Sequence, residues 1–169
     1  MFKPTPEQLT EILELHRKWL SGENGGVRAI LDGASLDGAS LVGARLVGAR
    51  LDRARLDRAR LDPIKADVFK ILETAKSEVP GLLAAIKDGR IEGSVYKGDC
   101  ACLVGTIANL RNQNVYKMPD IVTDTERPAE RWFLAIRNGD TPENNPVSAI
   151  SAQWIEEWLS TQEEIAHVN

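Results

Sequence analysis

The chain has 169 residues, enough for one domain or two small ones. It carries 21 Lys and Arg against 25 Asp and Glu, a net charge of -4 that excludes a globally basic nucleic-acid binder and a strongly acidic DNA mimic. Its two Cys and two His exclude a disulfide framework and most dedicated zinc sites. Because no segment reaches the ~20 apolar residues that span a bilayer, we expect a cytoplasmic protein with no membrane segment.

The first segment has the pattern of a helix over residues 5–21. Thr5 can serve as its N-cap, and Gln8 completes a capping box with it. We expect residues 1–26 to form a helical cap on the segment that follows. His16 lies on the apolar face of this helix, where a packed core residue is the favoured interpretation.

The next segment, residues 29–63, repeats every five residues. Leu occupies each fifth position from 31 to 61, and Ala lies two positions before each Leu. A period of five matches neither a strand nor an α-helix, and a helix built on it would carry Leu on all its sides. A square coil with five residues per side and twenty per turn points every Leu inward. Its turns would then stack at the ~4.8 Å spacing of a β ladder.

This Ala-x-Leu-x-x pattern resembles the pentapeptide-repeat family, whose fold is a right-handed quadrilateral β-helix. The resemblance implies a β-helix of under two turns over residues 27–63 and an α+β fold class for the chain. A solenoid this short needs caps at both ends. Because a helix and a Gly-rich turn precede the repeats, the chain also looks like phage-type or prophage-type members of the family.

The C-terminal segment, residues 64–169, loses the five-residue period and is expected to form a mainly helical domain. Helical spacing and loose alternation predict helices over 68–75, 80–86, 98–111 and 127–138, a strand over 90–97, and a last helix from Asn145-Pro146 onward. Its core is expected to be sealed by Trp132, Phe133, Trp154 and Trp158. Residues 98–106 and 127–133 are similar to extensions of uncharacterised phage pentapeptide proteins, a resemblance that brings no known chemistry.

The chain has few groups that could perform catalysis. Cys100 and Cys102 form a C-x-C pair, but zinc needs two further ligands and this apolar segment favours buried thiols. The phosphate-binding, dinucleotide-binding and zinc-protease motifs are all missing from the sequence. We therefore expect no catalytic residue, no metal and no cofactor, and an enzyme that uses one of the two Cys is the less favoured alternative.

Positive charge is concentrated in the repeats. Residues 27–62 contain seven Arg and five Asp, whereas the rest of the chain is acidic. Each Arg taken alone favours a surface ion pair, but the set as a whole is typical of an anion site because guanidinium groups bind phosphate. A twenty-residue turn would place Ser35 beneath Arg55, and Arg45 beneath Lys65 with no acid between them. The predicted ligand-binding residues are Arg45, Arg50, Arg53, Arg55, Arg58, Arg60, Lys65, Arg131 and Trp132.

These residues favour a non-enzymatic protein that binds an anionic nucleotide, such as a cyclic oligonucleotide. Together with the phage resemblance, they suggest counter-defence by sequestration of a nucleotide signal. The alternative is a solenoid scaffold that acts on a host protein as an inhibitor or as an adaptor. We also expect a homo-oligomer, with Trp154 and Trp158 at its interface. Duplex DNA is not an expected partner, since the family members that resemble B-form DNA are long and acidic.

Overall fold

A computed structural model describes residues 2–41, 44–51, 53–56 and 61–168, with side chains described to residue 165. Short 3-10 turns lie at Lys76–Glu78 and Val115–Lys117. The α-helices of the described residues are α1 (Pro6–Leu20), α2 (Asp62–Thr74), α3 (Val79–Lys87), α4 (Leu103–Leu110), α5 (Pro128–Phe133) and α6 (Pro146–Val168). About half of the residues that the structure describes are helical.

Helix α1 confirms the predicted N-terminal helix and its cap. The Thr5 hydroxyl accepts a hydrogen bond from the Gln8 N–H, and the Gln8 side chain accepts one from the Thr5 N–H. Leu9 and His16 face inward and are buried, and the His16 Nδ1 accepts a hydrogen bond from the Ala29 N–H. The helix is therefore joined to the first repeat through apolar packing and through a hydrogen bond from the Ala29 backbone to the His16 side chain.

The repeat segment, residues 29–61, passes beside itself every twenty residues. Ile30 pairs with Arg50, and Ser35 pairs with Arg55, each as an isolated parallel bridge. Around Ile30 and Ser35, the Arg50 and Arg55 N–H groups donate to the carbonyls of Ala29 and Ala34. The predicted stacking of Ser35 on Arg55 is confirmed.

The predicted α+β fold with a quadrilateral β-helix is nevertheless wrong. The described part of the chain contains no strand, and its regular structure is helical. Within the repeats, a turn closed by a hydrogen bond from Ala34 N–H to the Leu31 carbonyl recurs every five residues, for example from Ala39 to Leu36. Each of these tight turns leaves only one residue in five free to pair. Segments twenty residues apart are therefore joined by isolated bridges rather than by strands.

The Leu of the repeats form the interior, as the pattern predicts. All seven are buried, and Leu31 and Leu36 are each only 1 % exposed. They belong to one apolar cluster that also includes Ile64 of α2 and Trp154 of α6. The division into residues 1–26, 27–63 and 64–169 stays a prediction.

The C-terminal half is helical, but its elements differ from the predicted bounds. Helix α2 begins at Asp62, directly after the last repeat, while α4 begins only at Leu103 because residues 98–102 are non-helical. Helix α5 ends at Phe133, and tight turns follow it. The strand predicted over 90–97 is wrong: the structure has only an isolated bridge there, between Ile91 and Ala101.

Helices α2 to α6 pack around the predicted aromatic core. Trp132, Phe133, Trp154 and Trp158 are all buried. The rings of Trp132 and Trp154 lie 5.5 Å apart, and the Trp132 indole N–H donates to the Ser151 hydroxyl over 2.9 Å. Within the described residues, no helix has the length and apolar character needed to cross a membrane.

Candidate binding surface

The repeat geometry points Arg side chains outward. Because Leu and the preceding Ala face the interior, the position just before each Leu faces solvent. Arg45, Arg50 and Arg55 occupy this position and are exposed, and Arg53, at the end of its repeat, is exposed as well. Arg58 and Arg60 lie outside the described residues.

One cavity, called the main cavity below, lies between the last repeats and the start of α6. Its volume is about 620 Å³, which is in the range of small-molecule sites. Arg55 and Lys65 line it together with the carboxylate of Asp62. The apolar part of its wall consists of Ala54, Leu56, Leu61, Pro146, Ala149, Ile150 and Trp154. Gln153 also lines the cavity. The cavity therefore combines two cationic side chains with an apolar wall.

Neighbouring groups hold Lys65 in place. Its Nζ lies 2.7 Å from a carboxylate oxygen of Glu157 and 5.3 Å from the ring centre of Phe69. The Lys65 and Glu157 side chains are 31 % and 48 % exposed, so solvent screens this pair and its net contribution to stability is small. Lys65 is thus positioned by α6 but still reaches the cavity.

Arg50 and Arg53 line a second cavity, of about 630 Å³. Asp32 and Gly33 of the first repeats, and Glu143 and Asn144 before α6, complete its lining. Arg50 forms an ion pair with Asp32. Arg53 and Arg55 are two residues apart, yet they line different cavities.

Arg45 and Arg131 lie at a third place, where both approach Glu126. Arg131 forms an ion pair with this carboxylate, and an Arg45 nitrogen lies 4.0 Å from it. The sequence predicted that Arg45 lies beneath Lys65 with no acidic residue between them. This prediction is wrong, because Arg45 has Glu126 as its partner and Lys65 has Glu157.

The predicted aromatic contacts are internal. Trp132 is only 2 % exposed, so its ring faces the core and offers no surface for a base to stack on. Trp154 and Trp158, predicted at an oligomer interface, are 7 % and 3 % exposed within the single chain. The Trp158 indole N–H donates to Glu73 of α2. These Trp hold α6 against the rest of the chain.

The two Cys differ in environment. Cys102 is buried, and this burial raises the pKa of its thiol to about 11, so the reactive thiolate is scarce near neutral pH. Cys100 is partly exposed, and its thiol donates to the Asn138 side chain over 3.3 Å. In the described residues, no group of three or more potential metal ligands is found.

A buried carboxylate lies away from these cavities, at Glu130 of α5. It accepts hydrogen bonds from the Tyr96 hydroxyl and from the Asp124 N–H. Burial raises the pKa of Glu130, and burial together with this carboxylate raises the pKa of Tyr96. The three residues join α5 to two loops, which is a structural task.

Sequence reasoning missed the residues that α6 and the preceding loop bring to the cavities. They are Ile150 and Gln153 in the main cavity, and Glu143 and Asn144 in the second. The Asn145-Pro146 signal correctly predicted where α6 begins. Nothing local shows that this helix packs against repeats some 90 positions earlier.

Comparison with known families matches residues 29–62 to the pentapeptide repeats, in eight copies. No curated protein and no solved structure matches the chain. The phage-type origin and the resemblance of the C-terminal half to phage extensions stay predictions. The five-residue pattern and the family match agree that residues 29–62 are a run of pentapeptide repeats.

Proposed function

We propose that this protein is a non-catalytic binding protein whose main cavity takes up a small anionic ligand with an apolar part, of the nucleotide type. Such a protein would sequester the ligand rather than transform it. The observation that carries the proposal is the pairing of Arg55 and Lys65 with an apolar wall in one cavity.

Charge and shape both support this ligand class. Arg55 and Lys65 against Asp62 leave a net charge of about +1 in the lining, which favours an anion. The Arg guanidinium suits phosphate oxygens, and the Lys ammonium adds a second, compact charge. Leu61, Ile150 and Trp154 are among the lining residues and give the cavity an apolar wall for a weakly polar group.

Thermal unfolding against a panel of mono-, di- and cyclic oligonucleotides tests the proposal. A ligand that binds only the folded protein adds ~2.7 kcal/mol of stability at 100 times its Kd. We expect such a gain for at least one compound, and we expect mass spectrometry to recover the compound unchanged. A panel without any shift would refute the nucleotide proposal, and conversion of the compound would refute the non-catalytic part.

Two substitutions locate the site. Loss of one charged hydrogen bond costs roughly 1.5–3 kcal/mol, so Arg55→Gln and Lys65→Gln should each weaken binding by roughly 10- to 150-fold. Arg90→Gln is the matched control, because Arg90 is an exposed, ion-paired Arg that lines neither cavity. Equal losses in all three variants would show that the ligand responds to overall charge rather than to this cavity.

A protein partner is the second candidate, and three exposed apolar side chains within residues 19–30 favour it. Trp19, Val27 and Ile30 are 41 %, 56 % and 61 % exposed, and the Arg28 guanidinium lies 5.9 Å from the Trp19 ring centre. Exposed Trp and Arg are typical of interface hot spots. Under this alternative, Trp19→Ala would abolish capture of a partner while nucleotide binding stays unchanged.

A further inference from the structure

The second cavity contains an arginine in a backbone conformation that the other described repeats give to glycine. Arg53 has a φ of 56°, while Gly33, Gly38 and Gly48, at the equivalent last position of their repeats, have φ of 63°, 75° and 67°. A side chain in the left-handed region is strained, and such strain is found where a residue is needed for function. An arginine therefore occupies this corner although the positive φ favours glycine there.

The charged residues of the second cavity differ in whether they have a partner of opposite charge. Arg50 is already neutralised in part by its ion pair with Asp32. By contrast, no described residue forms an ion pair or a hydrogen bond with the Arg53 guanidinium, and the same holds for the Glu143 carboxylate within the described chain. The cavity of about 630 Å³ thus presents a cation and an anion, both available to a ligand.

Each of these groups selects a part of the ligand. A guanidinium binds phosphate through parallel N–H donors. A carboxylate near a phosphate site accepts hydrogen bonds from sugar hydroxyls, as acidic residues do with the ribose of dinucleotides. Asn144 supports the wall, because its side chain accepts from the Thr141 N–H and donates to the Gly139 carbonyl. None of the described residues that line this cavity is aromatic, so a base would find no ring there on which to stack.

We propose that the second cavity binds a sugar phosphate, with the phosphate on Arg53 and the hydroxyls on Glu143. This site is independent of the nucleotide-type site in the main cavity. It requires Arg53, which the proposed function does not use.

Isothermal titration of the full chain with ribose 5-phosphate, inorganic phosphate and ribose tests this site. We expect ribose 5-phosphate to bind more tightly than phosphate, and ribose alone to show no heat. Arg53→Gln should weaken binding of ribose 5-phosphate at least tenfold. Arg53→Lys should recover part of the affinity, since it keeps the charge without the planar donors.

Glu143→Gln gives the sharper test, because it should move two ligands in opposite directions. Loss of the strong acceptor weakens ribose 5-phosphate binding, whereas loss of the negative charge leaves phosphate binding equal or tighter. Arg90→Gln, which changes an exposed Arg outside both cavities, is the control and should leave both affinities unchanged. Absence of ribose 5-phosphate binding, or a loss in Arg55→Gln without one in Arg53→Gln, would overturn the proposal, and the latter result would place the ligand in the main cavity instead.

Discussion

The last position of each repeat offers a matched pair of substitutions with opposite expected effects. Arg53→Gly places glycine where the backbone has a φ of 56°, and Gly33→Ala places a side chain where φ is 63°. A Cβ at Gly33 would have no heavy atom within 4 Å, so the change alters the backbone term alone. Arg53→Gly therefore removes the strain of a side chain at positive φ, and Gly33→Ala introduces the same strain.

The expected size follows from two opposing terms. A non-glycine residue in the left-handed region costs roughly 1–2 kcal/mol. Glycine costs roughly 0.4–1 kcal/mol through the greater freedom of the unfolded chain. The difference predicts that Arg53→Gly raises the free energy of unfolding by about 0.5–1 kcal/mol, and that Gly33→Ala lowers it by about as much.

Urea unfolding at equilibrium measures both changes, and Arg53→Ala is the control. Arg53→Ala removes the guanidinium but keeps the strain, so its stability should stay near that of the parent chain. Arg53→Gly should then be more stable than Arg53→Ala. If Arg53→Gly is less stable than Arg53→Ala, or if Gly33→Ala has no effect, the strain argument is wrong.

Three further outcomes are expected. Burial, with Arg28 nearby, lowers the pKa of His16 below its ordinary value of about 6.5, so the folded chain binds fewer protons than the unfolded chain. Stability should therefore fall as the pH drops below about 6.5, and His16→Gln should flatten this slope in urea unfolding. Leu36→Ala should cost roughly 2–5 kcal/mol in the same assay because Leu36 is fully buried, and a loss below 1 kcal/mol would contradict its role in the core. In the native protein at neutral pH, iodoacetamide should label Cys100 before Cys102, and equal labelling would contradict the buried thiol.

Several structural features follow from local chemistry and were predictable for that reason. The Thr5 and Gln8 capping box needs only four residues in sequence, and the structure contains it. The five-residue spacing of Leu determines which side chains face inward, and these Leu are buried. The twenty-residue turn follows from the same spacing and is confirmed by the bridge between Ser35 and Arg55.

The β-helix prediction failed because periodicity reports which residues are equivalent and not how many backbone groups pair. In the repeats, each described five-residue unit contains a hydrogen-bonded tight turn, such as that from Ala34 to Leu31. Segments twenty residues apart therefore pair at single residues only. The strand predicted over 90–97 failed for a related reason. Loose alternation there produces only one bridge, between Ile91 and Ala101.

The sequence by itself determined the repeat, its buried Leu, its outward Arg and the start of the last helix, since each depends on spacing along the chain. Only the tertiary structure decided which Arg line a cavity. Arg55 lines one cavity with Lys65 and Trp154, and Arg53 lines another with Glu143. Trp132 is buried where it contacts Trp154 and Ser151 of α6. Contacts of this kind join residues about 90 positions apart, and they depend on how apolar faces pack in space, which no local pattern records.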